Sequence, residues 1–210
     1  MLNITRNRVG FAFAAAVFSA GLANADIIFG DNFESGLDAW VGKNGGAHHG
    51  MIVADPLGGG NHALTFTGLN AGGDMFTEDS LELEGSDTYR LSFDYLGLAG
   101  ANSIVGDTGG YVGFSMDTPG THQWKWATGT VSGASDVLVD DGQWHSYAFD
   151  FTGSDLGIGS EVRLMLEDFS GSGGVAGDAF FDNISIATIP EPASAFALAG
   201  LALVGGRRRR

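Results

Sequence analysis

Between residues 26 and 187 the hydrophobic pattern has a period of two. Tyr89, Leu91, Phe93 and Tyr95 alternate with Arg90, Ser92 and Asp94, so an extended chain puts four apolar side chains on one face. Leu64 and Phe66 in His62 to Thr67 repeat the pattern, as do Val162, Leu164 and Leu166 in Val162 to Glu167. Further strands are predicted at Asp26 to Gly30, Tyr111 to Met116, Val137 to Val139, Trp144 to Phe151 and Ala179 to Ala187. Turn clusters separate them: Gly58-Gly59-Gly60-Asn61, Ala71-Gly72-Gly73-Asp74, Gly106-Asp107-Thr108-Gly109-Gly110 and Asp140-Asp141-Gly142. Short strands with such turns predict an all-β protein, an antiparallel jelly-roll β-sandwich, with no helix inside it.

The two ends follow different rules. Met1 to Ala25 opens with Arg6 and Arg8, runs apolar from Val9 to Leu22 and closes on Ala23-Asn24-Ala25. That is the three-part pattern of a signal peptide, with small residues at Ala23 and Ala25 for signal peptidase and cleavage expected before Asp26. At the other end Pro190 and Pro192 mark a boundary, because each lacks an amide donor and restricts the residue before it. Ala193 to Gly206 carries no charge and is expected to form a single transmembrane helix, although it is shorter than the usual span of about twenty residues. Arg207, Arg208, Arg209 and Arg210 then stop it on the cytoplasmic side. The expected domains are a signal helix at 1–25, an exported sandwich at 26–187 and an anchoring segment at 188–210.

Removing the ends sharpens the charge. Residues 26–187 hold 24 of the 25 acidic residues but only four cations, Lys43, Arg90, Lys125 and Arg163, a formal charge of −20 against −15 for the whole chain. Such a surface repels nucleic acid and anionic lipid and favours divalent cations. The chain has no cysteine, so neither disulfides nor thiolate metal sites stabilise it. Its 15 Phe, four Trp and four Tyr supply a packed core instead, in which Trp40, Trp144, Tyr147, Phe149 and Phe151 are expected.

Pro190-Glu191-Pro192, a short Ala/Leu/Gly run and terminal arginines together resemble the PEP-CTERM sorting signal. The resemblance implies processing by an exosortase, a membrane cysteine transpeptidase of exopolysaccharide-making bacteria, and a place at the cell surface or outside it. Gly30 to Trp40 and Phe180 to Ile186 resemble the first and last strands of galactose-binding-like jelly rolls, which include many carbohydrate-binding modules. Asp141-Gly142-Gln143-Trp144-His145 resembles a strand start of laminin-G-like sandwiches. The galactose-binding-like resemblance implies one structural calcium held by Glu34 and Asp182, to which Asp31 is added by its nearness in sequence; calcium takes six to eight oxygens, which carboxylates, carbonyls and water supply.

Other candidates are read from the residues. Trp124 and Trp126 share one face if their stretch is extended, as a platform for sugar rings or as core. His48-His49 has no third metal ligand spaced nearby and reads as loop. No catalytic motif is present; Glu82 and Glu84 have the spacing of paired carboxylates on one strand face, a requirement of a sandwich glycosidase but equally an acidic strand edge. The leading expectation is a non-enzymatic surface or matrix protein associated with exopolysaccharide. A carbohydrate-binding module is the alternative and a glycoside hydrolase the third reading.

Overall fold

The computed structural model describes residues 25–70, 72–98, 109–115, 122–128, 136–156, 161–169 and 175–190, with the backbone alone for 122–128, 136–137 and 161. The signal segment up to Asn24 and the tail from Glu191 lie outside the described residues, and so do the expectations that fall on them. Among the described residues no helix is long and apolar enough to cross a membrane. Ala25–Pro190 forms one compact unit.

Thirteen strands build it among the described residues: β1 (Ile27–Asp31), β2 (Trp40–Gly42), β3 (Gly50–Ala54), β4 (His62–Phe66), β5 (Met75–Thr77), β6 (Leu81–Glu82), β7 (Thr88–Gly97), β8 (Gly110–Ser115), β9 (His122–Thr128), β10 (Asp136–Leu138), β11 (His145–Thr152), β12 (Glu161–Asp168) and β13 (Ala179–Thr188). A six-stranded sheet runs β11-β7-β13-β4-β3, with β1 also on β13. A seven-stranded sheet runs β10-β9-β8-β12-β5-β2, with β6 also on β12. All strands pair antiparallel except β10 with β9, a departure from the purely antiparallel expectation. The alternation is as the sequence implies: Tyr89, Leu91, Phe93 and Tyr95 from one sheet and Val162, Leu164 and Leu166 from the other are buried in a shared core. Phe181 sits at its centre, with its ring 5.2 Å from Tyr95, 6.2 Å from Phe66 and 6.4 Å from Phe93.

Several strands escape the alternation rule because they are short or covered on both faces. β5 is three residues, all buried, and β3 is five residues with no fully buried position. β4 is a central strand in which four of five residues are buried, so polar positions do not mark its outer face. Two 3₁₀ turns, Lys43–Gly45 and Gly153–Leu156, are the helical segments among the described residues. Trp144 corrects the core assignment. It is half-buried and outside the core, because its indole N–H reaches Asp55 Oδ1 at 3.0 Å and draws the ring to the surface. Trp40 is core, with 4% of its surface exposed; Phe151 is buried, and Tyr147 and Phe149 pack half-buried against the core.

The ends of the sandwich are tied together. The Asp26 amide donates to Thr188 Oγ1 at 2.9 Å, and the Thr188 amide donates back to the Asp26 carbonyl at 2.9 Å. Ile189 then donates to the Thr88 carbonyl, so the sheet holds the chain up to the residue before Pro190.

Candidate functional site

The outer face of the seven-stranded sheet carries an open cleft of about 530 Å³ lined by Val41, Asn44, Gly45, Glu78 and Arg163. Its construction follows from strand phase. Val162, Leu164 and Leu166 point into the core, so Arg163, Met165 and Glu167 of β12 point outward. Register places Ser115, Gly113 and Tyr111 beside these three on β8 and Phe76 beside Met165 on β5. Val41 pairs with Phe76 and completes the row. One rim is the turn after β2, where Asn44 (φ 57°) and Gly45 (φ 70°) are both left-handed. Gly42 permits that turn, since a Cβ there would lie 2.0 Å from the Ala47 carbonyl oxygen. Arg163 Nη1 donates to the carbonyls of Thr77, at 2.5 Å, and Glu78, which fixes the guanidinium at the opposite lip.

Deeper on the same face the loop before β5 crosses the sheet. Gly73 (φ 85°) lies so close that a Cβ would meet Phe76 Cζ at 2.4 Å and Met165 Sδ at 2.6 Å. Its amide donates to Glu167 Oε2 at 2.5 Å. Glu167 is fully buried, and its Oε1 has no hydrogen-bond partner. Burial pushes its carboxyl up to about 7; the neighbouring Asp74 charge adds to this, while the Gly73 amide and Lys43 oppose it. Asp74, itself 1% exposed, accepts from His49 Nδ1 at 3.0 Å and from Asn70 Nδ2 at 3.2 Å. His49 is thus a held side chain rather than loop decoration.

Trp124 and Trp126 both lie on β9, in the same sheet. Their register partners are Gly113 and Val112, successive residues of β8, because the ladder shifts between them. The expected shared face of the two tryptophans falls on side chains outside the described residues.

Asp31 ends β1, Glu34 follows it, and Asp182 lies on β13, which pairs with β1. Asp31 is occupied: one oxygen accepts from the Phe33 amide at 2.8 Å and the other from Trp40 Nε1 at 2.7 Å. Glu34 grips His62 through its amide and Nδ1, each at 2.8 Å, and these bonds hold its carboxyl below the usual range. Asp182 accepts from Asn61 Nδ2 at 2.5 Å and from the Asn183 amide at 2.7 Å. Its carboxyl is raised, first by burial and further by the Asp94 and Glu34 charges. Phe33 (φ 55°) and Asn183 (φ 50°) are two of three left-handed non-glycine residues among those described, and they flank this corner. Among the described residues no three metal-ligating side chains converge. The Glu34 charge acts on Asp182, while Asp31 is committed to Trp40.

Glu82 and Glu84 are exposed on one side of the β6 segment while Leu81 and Leu83 are buried on the other. Neither lines the cleft. The sequence missed the cleft residues because they sit in turns or at an outward phase, although Arg163, one of four cations in residues 26–187, was a signal within reach.

The fold is that of carbohydrate-binding-module jelly rolls. The xylan-binding domain CBM22-1 of Paenibacillus barcinonensis Xyn10C is similar with a TM-score of 0.52 and 19% identity, over 80% of this chain and 97% of that one. The CBM22-1-CBM22-2 tandem domain of the same protein is similar with a TM-score of 0.50 and 18% identity, over 83% of this chain and 50% of that one. Residues 188–210 match the PEP-CTERM protein-sorting motif, which marks the chain for export and a surface or extracellular destination. No curated protein matches the chain.

Proposed function

We propose that this chain is an exported, non-enzymatic polysaccharide-binding module that meets its ligand on the outer face of the seven-stranded sheet. The observation that carries the reading is the cleft itself. Val41 and the Gly45 backbone offer a low apolar floor, while Asn44, Glu78 and Arg163 converge donors and acceptors of the kind that fix a sugar ring's hydroxyls. The likeness to a xylan-binding domain supports a polysaccharide as the ligand class. The sorting motif supports exosortase processing and an exopolysaccharide setting.

Calcium is the cofactor of this reading, a structural ion held by Glu34 and Asp182 with main-chain carbonyls and water, and with Asp31 shaping the loop. An ion there offsets the mutual repulsion of Asp182, Asp94 and Glu34. Retention of the chain on polysaccharide gels tests the function. Retardation is expected on at least one xylan or exopolysaccharide, reduced tenfold or more in Kd by Arg163→Ala and by Trp124→Ala. Equal mobility with and without every polysaccharide sinks the proposal, and release of reducing sugar lost in Glu82→Gln would favour the glycosidase instead.

A further inference from the structure

Asp168 ends β12 in phase with Val162, Leu164 and Leu166, on the side that faces the sandwich interior. It is fully buried. Its Oδ2 accepts from the Gly177 amide at 3.2 Å, but its Oδ1 has no hydrogen-bond partner. A bare carboxylate oxygen out of reach of water is a strongly unfavourable arrangement unless something positive meets it. A second oxygen shares its gap. A Cβ built on Gly109 (φ 80°) would stand 2.8 Å from Asp168 Oδ1 and 2.8 Å from the Phe169 carbonyl oxygen, so both oxygens face a gap that only the lack of a side chain keeps open. The Phe169 amide, bonded to the Gly109 carbonyl at 2.7 Å, fixes the spacing. Asp178, 4% exposed, adds a second carboxylate whose charge acts on Asp168 and whose Oδ2 accepts from the Val175 amide at 2.9 Å. The charges that act on Asp168 are those of Asp178, Glu167 and Asp74, all negative.

We propose that this end of the sandwich is a divalent-cation site, with Asp168 Oδ1, the Asp178 carboxylate and the Phe169 carbonyl as protein ligands. Two carboxylates and a carbonyl are an all-oxygen set that leaves water to complete the shell, which suits calcium rather than zinc. The site stands apart from the Glu34 and Asp182 corner: Asp182 pairs with Asp94 on the outer face of the six-stranded sheet, whereas Asp168 faces inward from the other sheet. Its role is to join the sheets. Asp168 closes β12 in the seven-stranded sheet, and Asp178 leads into β13 of the six-stranded sheet and accepts from the Leu98 amide just beyond β7.

Calcium titration of the purified full-length chain tests it, in a Glu34→Gln/Asp182→Asn background that removes the outer corner's carboxylates. The background is expected to bind about one equivalent of calcium and to melt higher with calcium than with chelator. Adding Asp168→Asn, which keeps the side chain's shape, is expected to weaken that binding tenfold or more, because a neutral amide is a poorer calcium ligand than a carboxylate. Asp178→Asn is expected to weaken binding likewise. A background that binds no calcium, a midpoint that ignores it, or unchanged affinity in Asp168→Asn overturns the proposal.

Discussion

The outer faces of the two sheets handle polar groups in opposite ways. On the six-stranded sheet, Arg90, Asp150 and Asp94 lie at the surface and are matched. Arg90 makes a two-pronged bond to Asp150 at 2.6 and 2.9 Å, and Asp94 accepts from Ser146 at 2.5 Å and from Asn183 at 2.8 Å. On the seven-stranded sheet, Phe76, Met165 and Tyr111 are buried under neighbouring chain although they point outward, and Glu167 is buried among them with one oxygen unmatched. A face that meets only solvent gains little from screened pairs. A face that is partly dry makes each hydrogen bond to an incoming ligand count for more. The proposed reading uses this contrast, placing the ligand on the seven-stranded side, where the cleft lies.

The heaviest consequence concerns pH. Glu167 and Asp168 have carboxyls raised to about 7 and about 8, first by burial; for Asp168 the Asp178, Glu167 and Asp74 charges add, while the Gly177 amide opposes. The folded chain then binds more protons than the unfolded chain between about pH 4 and pH 8, so stability falls as pH rises through that window and levels off above it. Urea unfolding in chelator is expected to show a loss on the order of 3 kcal/mol or more from pH 4.5 to 8.5. The double variant Glu167→Gln/Asp168→Asn should flatten the profile, and a wild-type profile that rises with pH would count against burial of these groups.

Next in size, Phe181→Ala should cost about 3–5 kcal/mol, because the ring packs among Tyr95, Phe66 and Phe93 in the core and its loss leaves a cavity. Arg163→Ala should cost about 1–2 kcal/mol through its lost bonds to the Thr77 and Glu78 carbonyls, and should abolish most polysaccharide retention; retention at wild-type strength would remove the cleft from the account. Arg90→Ala on the back face should leave both the unfolding midpoint and retention unchanged.

How far the sequence carried is clear from particular residues. Alternation found β7 and β12 because each has one core face over several residues, and the motif residues of β1 and β13 carried the resemblance to the jelly-roll class. It missed β2 and β5, which are too short for a period to show, and β3, which has no fully buried position to mark a core face. It saw the apolar run of β12 but not that Glu167 and Asp168 at its end are buried, since a terminal acidic pair ordinarily reads as a solvated strand end. The cleft was illegible for a related reason: Asn44, Gly45 and Glu78 come from turns that only the completed sheet brings opposite Arg163.

Binding isotherms of the full-length chain against a panel of xylans and bacterial exopolysaccharides, run beside the Arg163→Ala and Arg90→Ala variants, bear most directly on the functional reading. Saturable binding that Arg163→Ala weakens at least tenfold, and that Arg90→Ala leaves intact, is the expected result. Binding lost equally in both variants, or no binding in the wild type, would contradict it.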